Sequence, residues 1–416
     1  MTFCLGMKCK DGLLAIANTR ITSGTELSTA QKISIHTYDQ HSMFILTSGL
    51  RSARDKAITY FEERLKNGSG GLTKMYMAAN ALSEEVRRGD LPVSAEPASR
   101  HERGGLTQMT DTGLPTRTLG RTGLQVTRLG YGAMSLDNGR LTPVTPEQAE
   151  ATLLAVLDAG INYIDTSPDY GESEECIGKY ISHRRNEFFL ASKCGCPVQV
   201  PEGSTGHVYT RENIVAGVEQ SLRRMHTDYL DVVQFHGSPS RATLEETGAI
   251  ETLRDLQHDG KVRYIGMSGV LPDLADHIAM GVFDEFQIPY SALQREHETA
   301  IAEARRAGAG TVIRGGAVRG APAPDKAWSV RRLPEVAEER PRTFWERARL
   351  DDLLDGAPAI EFTLRFTFSH PDLDTSIVGT ANPAHLRANL DALAKGPLPA
   401  DVYVEALRRL DAAASE

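Results

Sequence analysis

The stretch INYIDTSPDYGESEECIGKYISHRRNEFFLASK, residues 161–193, contains an apolar run, a segment with helical spacing and a second apolar run. The first run ends in Asp165, the helical segment covers 173–183, and the second run ends in Lys193. Two parallel strands need a long crossover connection, which is usually a helix. The stretch therefore predicts a parallel strand–helix–strand unit with an acid and an amine at two neighbouring strand ends.

The same pattern recurs between residues 126 and 394 and gives eight strand–helix units. Eight units in succession predict an α/β fold, in which a parallel sheet closes into a (β/α)8 TIM barrel. The alternative is an open, doubly wound sheet, but LGYGAM at 129–134 lacks the third glycine that such a sheet needs after its first strand. The predicted strands are 126–132, 161–165, 187–193, 229–235, 261–267, 284–288, 310–314 and 375–378, and the predicted helices are 146–158, 173–183, 211–225, 243–258, 272–279, 294–307, 357–369 and 382–394.

In a barrel of this kind the chemistry lies at the face where the strands end. Asp165, Lys193 and His236 end three successive predicted strands, and Tyr170 lies in the loop after the first of them. Carbonyl reduction needs a proton for the oxygen as hydride reaches the carbon, and an ammonium beside a tyrosine lowers the pKa of the phenol. We therefore expect Tyr170 to be a general acid assisted by Lys193, which Asp165 holds in place. We expect a neutral His236 to orient the substrate oxygen.

These motifs resemble those of the aldo-keto reductases over about residues 114–393. GINYIDTSPDYG at 160–171 is similar to the family's segment with the catalytic aspartate and tyrosine. ASK at 191–193 and QFH at 234–236 are similar to its lysine and histidine strands. The resemblance implies an NAD(P)H-dependent oxidoreductase that reduces a small-molecule aldehyde or ketone to an alcohol. A barrel that binds the cofactor for regulation, without significant turnover, is the alternative.

The resemblance also implies a nicotinamide site. Ser268 and Gln287 match family positions near the carboxamide, whereas Gly269 stands where asparagine is common. Arg314 stands where a tyrosine often stacks on the nicotinamide, and a guanidinium can also lie flat against a ring or pair with a phosphate. NADPH is the expected cofactor, and NADH is possible.

A phosphate site is predicted where the last strand runs into a helix that starts near 382–383. The free N–H groups and the dipole of a helix N-terminus attract anions. The resemblance implies that the adenosine phosphate of the cofactor binds here and that Asn389 contacts the adenine. The predicted contacts are Gly379, Thr380, Asn382, His385 and Asn389.

Residues 1–90 are expected to form a small, incomplete α+β segment. MTFCLG at 1–6 and GLLAIANTR at 12–20 resemble the opening of proteasome-type Ntn hydrolases. The segment would then be a truncated half of the sandwich fold of those proteins. That resemblance implies an N-terminal nucleophile at Thr2, assisted by Lys32, and a threonine peptidase as a further alternative activity. The predicted strands are 13–17, 32–36 and 42–47, and the predicted helices are 52–66 and 72–88.

Residues 91–114 are polar, contain proline and glycine and lack periodicity, which predicts a linker before the barrel at 115–416. Met109 is a candidate natural start for the barrel, which suggests a gene fusion. The long connection 315–356 and the loop 197–210 are expected to shape the substrate pocket. Trp328 and Trp345 are expected to pack this connection onto the barrel, and the alternative is that they line an apolar pocket.

The composition excludes several classes of protein. The 416-residue chain has a net charge of −9, which disfavours a nucleic-acid partner, and no apolar run is long enough for a membrane span. Its five cysteines suggest reduced thiols in a cytoplasm. Cys194 and Cys196 are interpreted as incidental, because a second pair of zinc ligands is missing at the usual spacing; no metal site is predicted. The sequence leaves the oligomeric state open.

Overall fold

The computed structural model divides the chain into two compact units, Met1–Ala98 and Ser99–Glu416. In the first unit it describes the backbone of residues 3–9, 12–13, 33–38 and 41–47. In the second unit it describes residues 113–136, 143–198, 206–317 and 341–415.

The first unit contains a four-stranded antiparallel sheet with the strand order β2-β1-β4-β3. The predicted strands at 32–36 and 42–47 are found, and Phe3–Cys9 is a strand that the sequence pattern did not predict. The predicted helices 52–66 and 72–88, Thr2 and Lys32 lie outside the described residues, so the resemblance to Ntn hydrolases stays a prediction. The strands are β1 (Phe3–Cys9), β2 (Gly12–Leu13), β3 (Ile33–Tyr38) and β4 (His41–Thr47).

The second unit is a closed barrel of eight parallel strands, which confirms the predicted (β/α)8 fold and excludes the open sheet. Neighbouring strands pair in the order β10-β11-β12-β13-β14-β7-β8-β9. A short antiparallel hairpin, β5 (Thr116–Thr118) and β6 (Gln125–Thr127), precedes it. The barrel strands are β7 (Leu129–Gly132), β8 (Tyr163–Asp165), β9 (Phe189–Cys194), β10 (Leu230–Phe235), β11 (Val262–Ser268), β12 (Glu285–Pro289), β13 (Gly310–Arg314) and β14 (Thr375–Val378).

Helices surround the barrel, and local capping fixes several of their starts. Thr145 begins α1 with a capping box: its hydroxyl accepts from the Gln148 N–H, and the Gln148 side chain accepts from the Thr145 N–H. The predicted helix 243–258 is two helices, because the chain passes through a left-handed conformation at Gly248. The helices are α1 (Pro146–Asp158), α2 (Ser173–Ile181), α3 (Arg211–Arg224), α4 (Arg241–Glu246), α5 (Ala249–His258), α6 (Asp273–Met280), α7 (Glu298–Arg306), α8 (Pro341–Arg347), α9 (Ala359–Ser369), α10 (Pro383–Ala394) and α11 (Ala400–Ser415). None of the described helices has the length and apolarity of a membrane span.

The hairpin closes the floor of the barrel. Leu119, Leu124 and Val126 pack with apolar side chains that the strands point into the barrel interior. Gly120 makes this close approach possible: a Cβ there would lie 2.1 Å from the Gly310 nitrogen, and its φ of +44° favours glycine. A second, larger core lies between the strands and the helices. The floor is therefore filled, and the open end of the barrel is the opposite one, where the strands end.

Part of the predicted connection 315–356 is ordered structure. Trp345 in α8 is fully buried, packs edge-on against Phe362 at 5.7 Å between ring centroids and donates a hydrogen bond to Asp351. This confirms the packing role expected for Trp345. Trp328 lies outside the described residues.

Candidate active site

A buried ion pair between Asp165 and Lys193 forms the base of the candidate site. Asp165 ends β8, Lys193 lies next to the end of β9, and both side chains are shielded from solvent. The Lys193 ammonium donates to both Asp165 oxygens at 2.8 Å and to the Thr166 carbonyl oxygen at 2.9 Å. These contacts use all three donors of the ammonium, so Lys193 acts on other neighbours mainly through its charge.

The charge of Lys193 is stable in this position. Burial is the largest single effect and disfavours the charged form, but Asp165, Tyr170 and Cys196 together outweigh burial, and the pKa of Lys193 lies above its ordinary value. Lys193 is therefore charged at neutral pH.

Tyr170 lies beside this pair at the rim. Lys193 Nζ is 5.0 Å from the centroid of the Tyr170 ring. Burial raises the pKa of Tyr170, and the opposing charge of Lys193 only reduces the shift, so the net direction is upward. The expectation of a lowered pKa was wrong, because loss of hydration penalises the phenolate more than the ammonium stabilises it. Tyr170 is consequently protonated at neutral pH and able to donate.

His236 follows the last residue of β10 and faces Tyr170 edge-on, with 6.0 Å between ring centroids. Burial lowers the pKa of His236, against the raising effect of its contact with Asp169. The imidazole is therefore neutral near pH 7, as expected. Its Nδ1 lies 3.3 Å from Asp169 Oδ2. The second ring nitrogen, Nε2, is the one considered for contact with a substrate.

Ser268 and Gln287 form a hydrogen-bonded chain that leads to the ion pair. The Ser268 hydroxyl donates to Gln287 Oε1 at 3.4 Å, and Gln287 Nε2 donates to Asp165 Oδ1 at 2.7 Å. Gln287 thus orients the carboxylate that holds the lysine, a contact that the sequence did not predict. Both side chains are buried, Ser268 at the end of β11 and Gln287 in the middle of β12.

Arg314 and Gly269 also lie at this rim. Arg314 ends β13 and lies close enough to Tyr170 for its charge to lower the pKa of the phenol. A Cβ at Gly269 would lie 3.0 Å from Leu274 Cδ1. The asparagine that the family resemblance leads us to expect at this position would therefore fit only if neighbouring atoms shift.

The predicted phosphate site lies at the end of β14. Asn382 caps α10 by accepting from the Ala384 N–H at 2.9 Å, and the Thr380 hydroxyl accepts from the Asn382 N–H at 3.0 Å. A Cβ at Gly379 would lie 2.7 Å from the Gly132 carbonyl oxygen, so a lysine does not fit without movement of the backbone.

The first turns of α10 carry the other predicted contacts. His385 is exposed and Asn389 is buried. They are four residues apart and therefore share one side of the helix.

Two groups of residues escaped the sequence analysis. Asp169, Cys196 and His207 gather around His236, and burial raises the pKa of the Cys196 thiol to about 12. The available signals were that Asp169 precedes Tyr170, that Cys196 belongs to the pair interpreted as incidental, and that His207 lies in the loop 197–210. Glu285, the first residue of β12, is fully buried inside the barrel, and burial raises its pKa well above the usual range.

Comparisons with known proteins agree with this geometry. The sequence model of the aldo/keto reductase family matches residues 128–411. The chain belongs to the aldo/keto reductase family. A Bacillus subtilis protein named as an uncharacterized oxidoreductase, YqkF, is 26% identical over 285 residues, which are 66% of this chain and 90% of that protein. The aldo-keto reductase YhdN of the same species is 34% identical over 186 residues, which are 43% of this chain and 55% of that protein.

A solved structure gives the same result for the fold. The holo form of an aldo-keto reductase from Bacillus halodurans superposes with a TM-score of 0.61 at 27% identity and covers 71% of this chain and 96% of that chain. As an aldo/keto reductase, the protein is an NAD(P)H-dependent oxidoreductase.

Proposed function

We propose that this aldo/keto reductase uses NADPH to reduce an aldehyde or a ketone to the alcohol, with Tyr170 as the general acid. One observation carries the proposal: a protonated phenol, a charged ammonium and a neutral imidazole lie side by side at the mouth of the barrel. A carbonyl oxygen that becomes an alkoxide needs a proton donor and a hydrogen-bond donor, and these groups supply both.

The proton balance of the reaction follows from these residues. NADPH, when bound, supplies the hydride that reaches the carbonyl carbon. The Tyr170 O–H bond breaks, its proton passes to the carbonyl oxygen, and the phenolate is reprotonated from solvent after the alcohol leaves. The Lys193 ammonium stabilises the phenolate, because opposite charges attract strongly where water is excluded.

His236 and Asp165 have supporting roles in this proposal. For the neutral His236 to orient the carbonyl oxygen, its single proton must lie on Nε2, and Nδ1, which faces Asp169 Oδ2 at 3.3 Å, must be unprotonated. Asp165 keeps Lys193 charged and fixed, and Gln287 fixes Asp165 in turn. Proton transfer of this kind contributes about 10²–10⁴-fold to the rate.

The residues at the rim fit a dinucleotide. Ser268, Gln287 and Arg314 lie on three neighbouring barrel strands, Gln287 bonds to Asp165 and the charge of Arg314 acts on Tyr170, so a nicotinamide would bind here. Residues 382–385 at the start of α10 are exposed, so a phosphate can reach the N-terminus of this helix. Thr380 and Asn382 shape this turn.

In this proposal, the residues on one side of α10 determine whether the enzyme prefers NADPH or NADH. His385 is exposed one turn before the buried Asn389, so an adenosine bound over Asn389 would place its 2′-phosphate near the imidazole. We therefore expect His385→Ala to raise the KM for NADPH and to leave the KM for NADH unchanged. An equal change for both cofactors would contradict this assignment.

The reductase proposal is tested by NADPH oxidation with a panel of aldehydes and ketones. The intact chain should oxidise NADPH with at least one of them, and Tyr170→Phe should lose about 10²–10⁴-fold in kcat. The matched control is Tyr229→Phe, because Tyr229 lies before β10 at the opposite end of the barrel. Nucleotide binding without turnover in the intact chain would refute the reductase and favour a regulatory role.

A further inference from the structure

A compact cluster of metal-ligand types lies beside the proposed substrate site. Asp169, Cys196, His207 and His236 each point one ligand atom inward, and these four atoms lie within 4.8 Å of one another. Cys196 is buried, and the other three are partly buried. Two imidazoles, a thiol and a carboxylate are the ligand types that zinc prefers.

We propose that these four side chains bind one Zn²⁺ ion. With Zn–N and Zn–O bonds of about 2.0–2.1 Å and a Zn–S bond of about 2.3 Å, a tetrahedral site has N···O edges of about 3.3 Å and N···S edges of about 3.6 Å. Asp169 Oδ2 is 3.2 Å from His207 Nε2 and 3.3 Å from His236 Nδ1. Cys196 Sγ is 3.5 Å from His236 Nδ1. Three edges of the cluster therefore already have the lengths that zinc requires.

The fold brings His207 to the rim by several backbone contacts. The neighbouring Val208 N–H donates to the Gly195 carbonyl oxygen at 2.7 Å, and Asn213 Nδ2 donates to the carbonyls of Val208 and Cys196. A Cβ at Gly237 would lie 2.5 Å from His207 Nδ1, so glycine at that position makes room for the imidazole. His207 is therefore held in place by the backbone around it.

One ligand atom, His207 Nε2, is turned toward Asp169 inside the cluster. His207 Nε2 is shielded from solvent and, within the described residues, makes no hydrogen bond of good geometry, although Asp169 is close. A metal ion would satisfy His207 Nε2 by coordination.

The proposed ion has all four positions filled by protein, which is typical of a structural zinc site. On binding, the Cys196 thiol releases its proton to solvent. Coordination at Nδ1 also fixes the proton of His236 on Nε2, so that this nitrogen donates to the substrate oxygen. This last consequence rests on the proposed reductase function, whereas binding of the ion does not.

The test is a titration of the intact, chelator-treated chain with Co²⁺ alone, followed by absorption spectroscopy. The proposal predicts one equivalent of Co²⁺, the intense visible bands of a tetrahedral site and a thiolate-to-cobalt charge-transfer band, all displaced by Zn²⁺. Cys196→Ser should abolish the charge-transfer band. His207→Gln should weaken Co²⁺ binding by more than about 100-fold. Removal of a residue that only supports a metal ligand typically costs about 10–100-fold, so a larger loss indicates a direct ligand.

Matched controls separate a site from general thiol and imidazole binding. Cys176→Ser and His258→Gln, which remove the same atoms outside the cluster, should leave the spectrum and the affinity unchanged. Absence of the charge-transfer band in the intact chain, or its persistence in Cys196→Ser, would overturn the proposal. Far-ultraviolet circular dichroism verifies that each variant is folded. NADPH binding and oxidation, measured separately, show whether the reductase proposal stands or fails independently.

Discussion

Replacement of Asp165 by asparagine removes the charge that compensates Lys193. The ammonium would remain buried, and the asparagine would offer one acceptor where the carboxylate offers two oxygens at 2.8 Å. Gln287 Nε2 donates to the same carboxylate at 2.7 Å. In the variant it would compete with Lys193 for the single amide oxygen of the asparagine. The variant therefore leaves an uncompensated charge at the base of the site.

The expected loss of stability follows from this burial. Removing one partner of a buried ion pair costs about 3–5 kcal/mol. For a barrel unit of roughly 300 residues, with an unfolding entropy of about 2.1 cal/mol/K per residue, this corresponds to a fall in Tm of about 5–8 °C. The pKa of Lys193 should fall as well, and the ammonium loses the partner that holds it beside Tyr170, so kcat should fall by about 10²–10⁴-fold.

The assay combines thermal unfolding with NADPH oxidation and uses the double variant Asp165→Asn/Lys193→Met as a control. The double variant removes both charges, so its Tm should lie above that of Asp165→Asn, since no uncompensated charge remains buried. Its activity should remain lost. An Asp165→Asn variant with the Tm and kcat of the parent protein would refute the reasoning.

Three further predictions concern pH and packing. The kcat/KM for carbonyl reduction should be flat from about pH 7 to 9, because burial places the pKa of Tyr170 above 10 and that of His236 below 6.5; an alkaline limb centred below pH 9 would contradict this. Glu285 has a higher pKa in the folded than in the unfolded chain, so its contribution to stability is lost as pH rises above about 4.3. The free energy of unfolding of Glu285→Gln, measured in urea titrations, should therefore rise relative to that of the parent protein as the pH increases from 5 to 8. The rise should be at most about 1.4 kcal/mol per pH unit. A difference between the two proteins that does not vary with pH would contradict this prediction. Gly120→Ala should lower the free energy of unfolding by about 1–3 kcal/mol in the same titrations, because the added Cβ overpacks the barrel floor. Gly113 also has a positive φ, but a Cβ there would meet no atom within 4 Å, so Gly113→Ala should lose less. Equal losses in the two variants would argue against a packed floor.

The sequence predicted most of the barrel, because each strand is an apolar run that ends in a recognisable residue. Asp165, Lys193 and His236 were predicted from their positions at strand ends alone, and closure of the sheet then determined that they meet. The break at Gly248 was missed, since a single glycine inside a helical pattern does not reveal a left-handed turn. The helix Pro341–Arg347 was missed because it lies within a long connection without an amphipathic repeat.

The site was less predictable than the fold. The pKa of Tyr170 depends on the balance between burial and the charge of Lys193, and the sequence shows only the charge. His207 reaches the rim through a loop, and the contacts that place it, with Gly195 and Asn213, are tertiary. The role of Gln287 as a partner of Asp165 likewise depends on the register between strands far apart in sequence.

Single-turnover stopped-flow kinetics tests the central claim most directly. The measurement follows the disappearance of NADPH fluorescence after the intact chain, preloaded with NADPH, is mixed with a reducible aldehyde. The account predicts fast hydride transfer in the parent protein and transfer slowed by about 10²–10⁴-fold in Tyr170→Phe, with the same Kd for NADPH in both. Equal transfer rates in the two proteins would contradict the assignment of Tyr170 as the proton donor.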